Sequence, residues 1–214
     1  LLTNLTKLYL NQNELTSLPS SIGQLTNLTE LGLGDNQLVS LPDEIGQLTS
    51  LTGLDLHHNQ LTTLPSSINQ LTNLIDLYLG SNPIGVLPDE VCQLNQLQEL
   101  YLGNTQLKEL PATIGNLTQL IELGLGGNAL ITLPSEVGQL TKLQEIYLGN
   151  NQLKELPSTF WQLTQLTKLH LHENQLTDIP EQIANLSNLV ELGLESNQLT
   201  ALPLSLKNMT KLRE

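Results

Sequence analysis

Aromatic and sulfur-containing side chains are scarce in this 214-residue chain. Phe, Trp and Tyr together make up 3% of it, and there is one methionine and one cysteine. Globular cores usually combine side chains of several shapes, so a core built almost wholly from leucine indicates one layer repeated many times. The lone Cys92 excludes an internal disulfide and favours a reducing compartment such as the cytoplasm.

Basic residues are also few, and this narrows the classes of partner. The chain has 8 Lys and Arg against 21 Asp and Glu, which gives a net charge of −13. Nucleic acids and anionic membrane surfaces attract clustered basic side chains, so we expect neither as a partner. There is also no apolar run of about 18 residues, the length that a membrane span requires. A protein or peptide with basic character fits this charge best.

What the chain does have is a strict period of 23 residues. Its first unit, residues 2–24, reads LTNLTKLYLNQNELTSLPSSIGQ. Complete units follow from Leu25, Leu48, Leu71, Leu94, Leu117, Leu140, Leu163 and Leu186, and a partial tenth begins at Met209. We therefore expect a single repeat domain over residues 1–214. Since no polar capping element is visible at either end, we also expect it to be part of a longer protein.

Each unit contains a strand pattern that cannot be stable alone. Around Leu8 and Leu10 apolar and polar residues alternate, the period of two that predicts a half-buried strand. One unit has too few apolar side chains to offset the entropy of ordering 23 residues. Stacked units would supply the missing burial, with strands along one face and Leu-Pro segments along the other.

The residues at these positions resemble a known family. The segment 5–15, LTKLYLNQNEL, matches the LxxLxLxxNxL pattern of leucine-rich repeat proteins. The LPxxIGQ continuation is similar to the 23-residue subclass of plant intracellular Ras-group-related proteins and of bacterial repeat proteins. The resemblance implies an α/β repeat solenoid, right-handed and curved. It places a parallel sheet on the concave face and mostly irregular or 3-10 segments on the convex face.

Asparagines recur where the chain leaves each strand, and we interpret them as structural. A buried turn has backbone groups that cannot reach water, and a carboxamide has the donors and the acceptor to bond them. The predicted ladder comprises Asn13, Asn36, Asn59, Asn82, Asn128, Asn151, Asn174 and Asn197. Thr105 takes this place in the fifth unit, where we expect a weaker contact. Asn82-Pro83 is a second irregularity beside it.

The outward positions of the strands are the candidate binding surface. If Leu8 and Leu10 point inward, the residues between and beside them point outward. All four tyrosines fall in one outward column, and the column before it is mostly acidic. The predicted partner-binding residues are Tyr78, Tyr101, Tyr147, His170, His172, Asp55, His57, Glu99, Glu122 and Glu145. The alternative is that the tyrosines are good strand residues copied by repeat duplication.

Nothing in the sequence indicates catalysis, a metal or a cofactor. Cys92 has no nucleophile motif around it, and the glycines of LGLGGN, residues 123–128, belong to a repeat strand. His170 and His172 share a strand face and His57 precedes His58, but two imidazoles on an open surface make a weak site. Trp161 replaces a turn glycine and either packs against a neighbouring loop or contacts another domain.

The sequence therefore predicts a non-enzymatic interaction module that binds a partner of basic character on its concave sheet. The resemblance also leaves open that the chain is the recognition segment of a larger signalling enzyme. A Roco-type GTPase or a leucine-rich repeat ubiquitin ligase would carry its catalysis elsewhere. A third possibility is a chiefly structural repeat that associates end to end. The oligomeric state stays open.

Overall fold

A computed structural model describes residue 2 and residues 4–213, and within them it shows one parallel sheet. Its strands are three residues long and pair in sequence order. They are β1 Lys7–Tyr9, β2 Glu30–Gly32, β3 Gly53–Asp55, β4 Asp76–Tyr78, β5 Glu99–Tyr101, β6 Glu122–Gly124, β7 Glu145–Tyr147, β8 Lys168–His170 and β9 Glu191–Gly193. The sheet lines the concave face of a curved right-handed solenoid, which confirms the predicted fold class.

The register of the sheet follows the 23-residue period. Leu8 pairs with Leu31, and Leu31 with Leu54, so equivalent residues form straight columns across the units. Backbone hydrogen bonds extend the ladder beyond the strands, as from Gln12 N–H to the Gly34 carbonyl at 2.9 Å. Each outward position of the repeat is thus a row of side chains one strand spacing apart, about 4.8 Å.

The core is a stack of nearly identical leucine layers. In the third unit the predicted inward residues are at most 5% exposed. They are Leu48, Leu51, Leu54, Leu56, Leu61, Leu64 and Ile68. In the first unit Leu5 and Leu8 are only partly buried, because the described residues provide a leucine layer on one side of them only. Burial in this fold therefore comes from stacking.

The convex face carries a short 3-10 turn in each unit. Eight of these turns begin directly after a proline in extended conformation, such as Pro42 with φ −71 and ψ 150. Proline fixes φ and lacks an N–H, which suits a position outside any ladder. The turns are η1 Ser20–Gln24, η2 Asp43–Gln47, η3 Ser66–Gln70, η4 Val91–Gln93, η5 Ala112–Asn116, η6 Ser135–Gln139, η7 Ser158–Gln162, η8 Glu181–Asn185 and η9 Leu204–Asn208. None of the helices in the described part of the chain has the length and apolar character of a membrane span.

Two of the less regular side chains on the convex side are buried. Trp161 is 4% exposed and packs edge-to-face on Phe160, with ring centroids 5.5 Å apart. Of the two positions that the sequence allows, it therefore takes the packed one. Cys92 is also buried, and burial raises its thiol pKa to about 11. A thiol in this environment is a poor nucleophile.

Asparagines at the strand exits join most units to the preceding one. The Asn151 amide donates to the carbonyls of Leu148, in its own unit, and Leu125, in the preceding unit, both at 3.0 Å. Its Oδ1 accepts the N–H of Leu130 at 3.0 Å. Equivalent bonds recur at Asn36, Asn59, Asn82, Asn128, Asn174 and Asn197. These amides satisfy backbone groups that the leucine core hides from water.

The irregularities at Thr105 and Pro83 are physically connected. Thr105 is fully buried, and its hydroxyl donates to the Leu102 carbonyl at 2.7 Å, which replaces one of the two usual amide bonds. The other usual partners lie in the preceding unit, where the Ile84 N–H bonds the carbonyl of Asn82 at 2.8 Å instead. Pro83 has no N–H, whereas the residue at this position of other units donates to the preceding unit, as Gln60 does to the Leu38 carbonyl at 2.9 Å. After Pro83 the chain bonds the next unit through Gly85 N–H and the Thr105 carbonyl at 2.9 Å.

We predict that Asn151→Ala lowers the free energy of unfolding by about 3 kcal/mol, because several buried backbone groups lose their partners. Asn13→Ala is the matched control. Asn13 is exposed and bonds carbonyls of its own unit only, so we expect a loss below about 1 kcal/mol. Urea denaturation followed by circular dichroism measures both. Equal losses in the two variants would contradict the role of the inter-unit bonds.

We predict that Thr105→Asn and Pro83→Gln stabilise the chain only together. Alone, Thr105→Asn supplies an acceptor whose usual donor, the Ile84 N–H, already bonds Asn82. The pair restores the regular geometry, so we expect the double variant to exceed the sum of the single changes by about 1 kcal/mol. A double-mutant cycle from urea denaturation measures this coupling, and strict additivity would show that the two irregularities are independent.

Candidate partner-binding face

The outward side chains of the strands form the candidate face. The aromatic residues sit in one column, and their order follows the sheet register. Tyr78 pairs with Tyr101 on the next strand, and Tyr147 pairs with His170. The ring centroids of the first pair are 5.3 Å apart and those of the second 5.1 Å. The predicted tyrosines therefore form two separate aromatic pairs instead of a continuous row.

A glycine between the pairs gives the face a step. Gly124 separates Tyr101 from Tyr147 in the column. The Tyr101 ring leans over it, and a Cβ at Gly124 would lie 2.6 Å from Tyr101 Cδ1. Any larger residue at this position would push the ring away. The sequence pattern of tyrosines beside glycines thus becomes a surface of rings and shallow hollows.

The tyrosine hydroxyls are already bonded to the acidic column. Tyr78 donates to Glu99 Oε2 at 2.5 Å, and Tyr101 donates in the same way to Glu122. Tyr147 differs because it donates to Glu145 of its own strand. Burial, and then the bonded carboxylate, raise the pKa of all three hydroxyls. The rings are therefore held in place as neutral donors, and their faces are what a partner meets.

Three carboxylates stand in register near the middle of the face without a basic partner. Asp76 lies beside Glu99, and Glu99 beside Glu122. In the part of the chain that the structure describes, none of the three forms an ion pair, whereas Glu145 pairs with Lys168 at 2.9 Å. Like charges on neighbouring strands are destabilising. Consistent with this, burial and then the Glu99 charge raise the pKa of Asp76.

An acidic cavity of 330 Å³ lies on this face at one end of the row. Tyr9 and Tyr78 stand at its two sides, and glycines at positions 32 and 53 open its floor. The remaining lining residues are Asn11, Glu30, Leu31, Leu54, Asp55 and Asp76. The carboxylates and ring faces around one small cavity are the features that bind a cation.

Only part of the predicted set meets at this cavity. Tyr78 and Asp55 line it, while His170 and His172 line a second hollow of 290 Å³ with Glu191 and Glu195. Sequence reasoning omitted Tyr9, Glu30 and Asp76 from the predicted set. The sequence does contain a signal for this cavity. Gly32 and Gly53 occupy adjacent outward columns, and two neighbouring glycines leave a gap between the larger side chains.

His57 points to the edge of the face where the chain leaves the strands. Its Nδ1 lies 2.5 Å from Asp55 Oδ1, and its Nε2 lies 3.3 Å from Asp35 Oδ2. His172 has a looser neighbour, with 3.9 Å between its Nδ1 and Glu195 Oε1. His57 and His172, two of the three predicted histidines, thus have different surroundings. Contact of any of these residues with a partner stays a prediction.

Comparisons with protein families and solved structures agree with this architecture. A family model described as leucine rich repeat matches residues 3–61, 26–84 and 72–130. A second, described as leucine-rich repeat region, matches residues 122–214. Among curated proteins, none matches the chain.

Solved structures with the same fold include a leucine-rich repeat protein of Leptospira interrogans. It is 38% identical, with a TM-score of 0.87 over 99% of this chain and 60% of that one. The ectodomain of the Arabidopsis thaliana receptor kinase GASSHO1/SCHENGEN3, in complex with Casparian strip integrity factor 2, is 35% identical. Its TM-score is 0.87 over 98% of this chain and 26% of that one.

A plant peptide hormone receptor, RGFR1 in complex with RGF2, is 33% identical, with a TM-score of 0.75 over 99% of this chain and 43% of that one. This chain therefore spans less than two thirds of the length of each of these structures. The family models cover the repeats from end to end, and the identity to the bacterial protein extends over nearly all of them. The chain belongs to the leucine-rich repeat family.

Proposed function

We propose that this chain is a non-enzymatic binding module that takes a basic peptide segment along its concave face. The observation that carries the proposal is a row of carboxylates that have no basic partner among the described residues. It comprises Asp76, Glu99 and Glu122 and begins at the cavity between Tyr9 and Tyr78. This arrangement costs stability in the free protein. A cationic partner would remove the repulsion, so the row favours binding of basic segments over neutral ones.

An arginine side chain fits the cavity best. Its planar guanidinium would stack on the Tyr78 ring and donate to the carboxylate of Asp76 or Asp55, which all line the same 330 Å³. Lysine would satisfy the charge but lacks the flat face and the paired donors. We therefore expect arginine to be preferred over lysine at this position of the ligand.

The rigidity of the face strengthens the proposal. The hydroxyls of Tyr78 and Tyr101 are fixed by Glu99 and Glu122, and the strands below are locked in register by the ladder. Side chains that are ordered before binding lose little entropy when the partner arrives. Tyrosine is also among the residues that most often dominate interface energies. Tyr101 and Tyr147 would then contact positions further along the peptide.

Relatives support a peptide as the ligand class. Leucine-rich repeat proteins are typically non-enzymatic binding scaffolds. Two plant receptors resemble this chain. GASSHO1/SCHENGEN3 was solved in complex with Casparian strip integrity factor 2, and the peptide hormone receptor RGFR1 in complex with RGF2. The alternative is that the same face serves as the recognition segment of a larger signalling enzyme. The sequence of the complete gene, searched for a phosphate-binding loop, distinguishes the two.

We predict that random peptides selected by phage display on the full chain are enriched in arginine. For a selected peptide, Asp76→Asn or Tyr78→Ala should weaken the affinity about tenfold or more, because each removes one side of the cation site. Isothermal titration calorimetry measures the affinity. Raising the salt from about 50 to about 200 mM should also weaken it, since exposed charges are screened.

Asp43→Asn is the matched control for charge. Asp43 is exposed at η2 on the convex side, so its substitution removes the same charge without touching the concave face. We expect its affinity for the selected peptide to equal that of the unmodified chain. If Asp43→Asn and Asp76→Asn weakened the affinity equally, the loss would be explained by the change in net charge alone. Selection without arginine enrichment would contradict the proposal.

We predict that Asp76→Asn stabilises the free chain at neutral pH while it weakens binding. The pKa of Asp76 is raised by burial and then by Glu99, so the folded chain binds more protons than the unfolded chain in the window between the two pKa values. Its contribution to stability therefore falls as the pH rises through that window. The melting temperature of Asp76→Asn should exceed that of the unmodified chain at pH 7, and the difference should shrink toward acid pH. Calorimetric scans at several pH values measure it, and a lower melting temperature at pH 7 would contradict it.

A further inference from the structure

Four ligating side chains meet at the edge of the sheet where the chain leaves β2 and β3. We call Asp35, Asp55, His57 and His58 the rim cluster. Potential ligand atoms of Asp35, His57 and His58 all lie within 4.8 Å of one another. His58 Nδ1 is 2.9 Å from Asp35 Oδ1, and His57 Nε2 is 3.3 Å from Asp35 Oδ2. Three atoms that coordinate metals thus converge from two neighbouring units.

Asp55 orients the imidazole of His57. Its Oδ1 lies 2.5 Å from His57 Nδ1 and also accepts the backbone N–H of His57 at 3.1 Å. Its Oδ2 accepts the Asn11 amide at 2.8 Å, so both carboxylate oxygens are held. With Nδ1–H donated to Asp55, the lone pair of Nε2 is directed toward Asp35. A carboxylate behind a histidine is the usual outer partner of a metal-binding imidazole.

A glycine makes room for this ring. A Cβ at Gly34 would lie 2.2 Å from His57 Cε1, so the imidazole rests on the glycine backbone of the preceding unit. Any side chain at position 34 would force the ring away from Asp35. The position of His57 therefore depends on Gly34 below it and on Asp55 behind it, and both are outside the set of three converging ligands.

We propose that the rim cluster binds one Zn²⁺-class divalent ion through Asp35, His57 and His58. Tetrahedral Zn²⁺ with bonds of about 2.0–2.1 Å separates its ligand atoms by about 3.3 Å. The two imidazoles lie 2.9 and 3.3 Å from different oxygens of Asp35, and all three ligand atoms lie within 4.8 Å of one another, so small side-chain movements would bring them around one ion. Two imidazoles and a carboxylate suit zinc and other late first-row metals better than Mg²⁺ or Ca²⁺. The fourth coordination position would face solvent, because His58 is exposed. The ion would join the second unit to the third.

The other histidine pair provides a comparison within the same molecule. His170 Nε2 bonds Glu191 at 2.6 Å, while His172 Nδ1 faces Glu195 at 3.9 Å, so the two rings are directed to different carboxylates. Within residues 2 and 4–213 no other set of three such side chains converges as the rim cluster does. Sequence reasoning paired His57 only with His58 and predicted no metal, since Asp35 belongs to the preceding unit.

The occupant that competes with a metal is a proton. Burial by itself would lower the pKa of His57, but Asp55 and Asp35 outweigh burial, and the pKa is raised. A protonated imidazole between two carboxylates would then account for the distances as an ion pair. The experiment must therefore detect the ion directly and locate it at these side chains.

Zinc titration of the full chain, first treated with chelator, tests the proposal. Calorimetry at pH 7.5 should show one Zn²⁺ per chain, and His57→Gln or Asp35→Asn should weaken binding about 100-fold. Asp55→Asn should weaken it about 10- to 100-fold, the usual effect of losing an outer partner. Gly34→Ala should also weaken it, although all the ligands remain. Co²⁺ in place of Zn²⁺ should give the intense visible absorption of a tetrahedral site, and Mg²⁺ should not compete.

The control is the double variant His170→Gln, His172→Gln, which removes two imidazoles from the same molecule, one more than His57→Gln. Its zinc affinity should equal that of the unmodified chain. Circular dichroism and unfolding of each metal-free variant show whether it is folded. The proposal would be overturned if the unmodified chain bound no zinc, or if His57→Gln left the zinc affinity unchanged. The distances would then be explained by an ion pair between protonated His57 and the two carboxylates. Loss of binding in the control would place the ion at the other pair and would overturn it equally.

Discussion

The structure depends on satisfying backbone polar groups that the leucine core buries between units. A leucine layer can be copied indefinitely, but each copy hides the carbonyls at the end of its strand from water. Buried amides such as Asn59 and Asn151 bond those carbonyls in two units at once. This fixes the spacing and the register of neighbouring units together. Straight columns on the concave face follow from that register, because equivalent residues have no freedom to slip.

The alignment of equivalent residues in columns also brings like charges close together. When equivalent positions are acidic, their charges stand one strand spacing apart, as at Asp76, Glu99 and Glu122. A scaffold selected only for stability would alternate charges along the column, as Glu145 and Lys168 do one step further. Asp76, at one end of this row, lines the tyrosine cavity together with Glu30, which pairs with Lys7. The repulsion along this row is therefore the feature of the scaffold on which the proposed binding of a cationic partner rests.

The period of 23 residues allowed the strands, the inward leucines and the outward columns to be predicted, because each depends only on position within a unit. It could not predict which of several neighbouring groups a side chain bonds. Tyr101 donates to the next unit and Tyr147 to its own strand, although both occupy the same column. The convergence of Asp35 on His57 was missed for the same reason, since it joins a turn residue of one unit to a strand exit of the next. Pro83 and Thr105 were each visible, but their connection through Ile84 was not.

Departures from the repeat are where chemistry can arise in such a fold. A regular unit surrounds each outward residue with copies of itself, so no site of mixed character forms. Gly32 and Gly53 break the columns and open a cavity between two tyrosines. Gly34 lets His57 reach a carboxylate of the preceding unit. Both features lie in the first four units, next to one another across β2 and β3. A partner that follows the concave face would meet both the cavity between Tyr9 and Tyr78 and the rim cluster. The two proposed sites therefore belong to one surface, although separate variants test each of them.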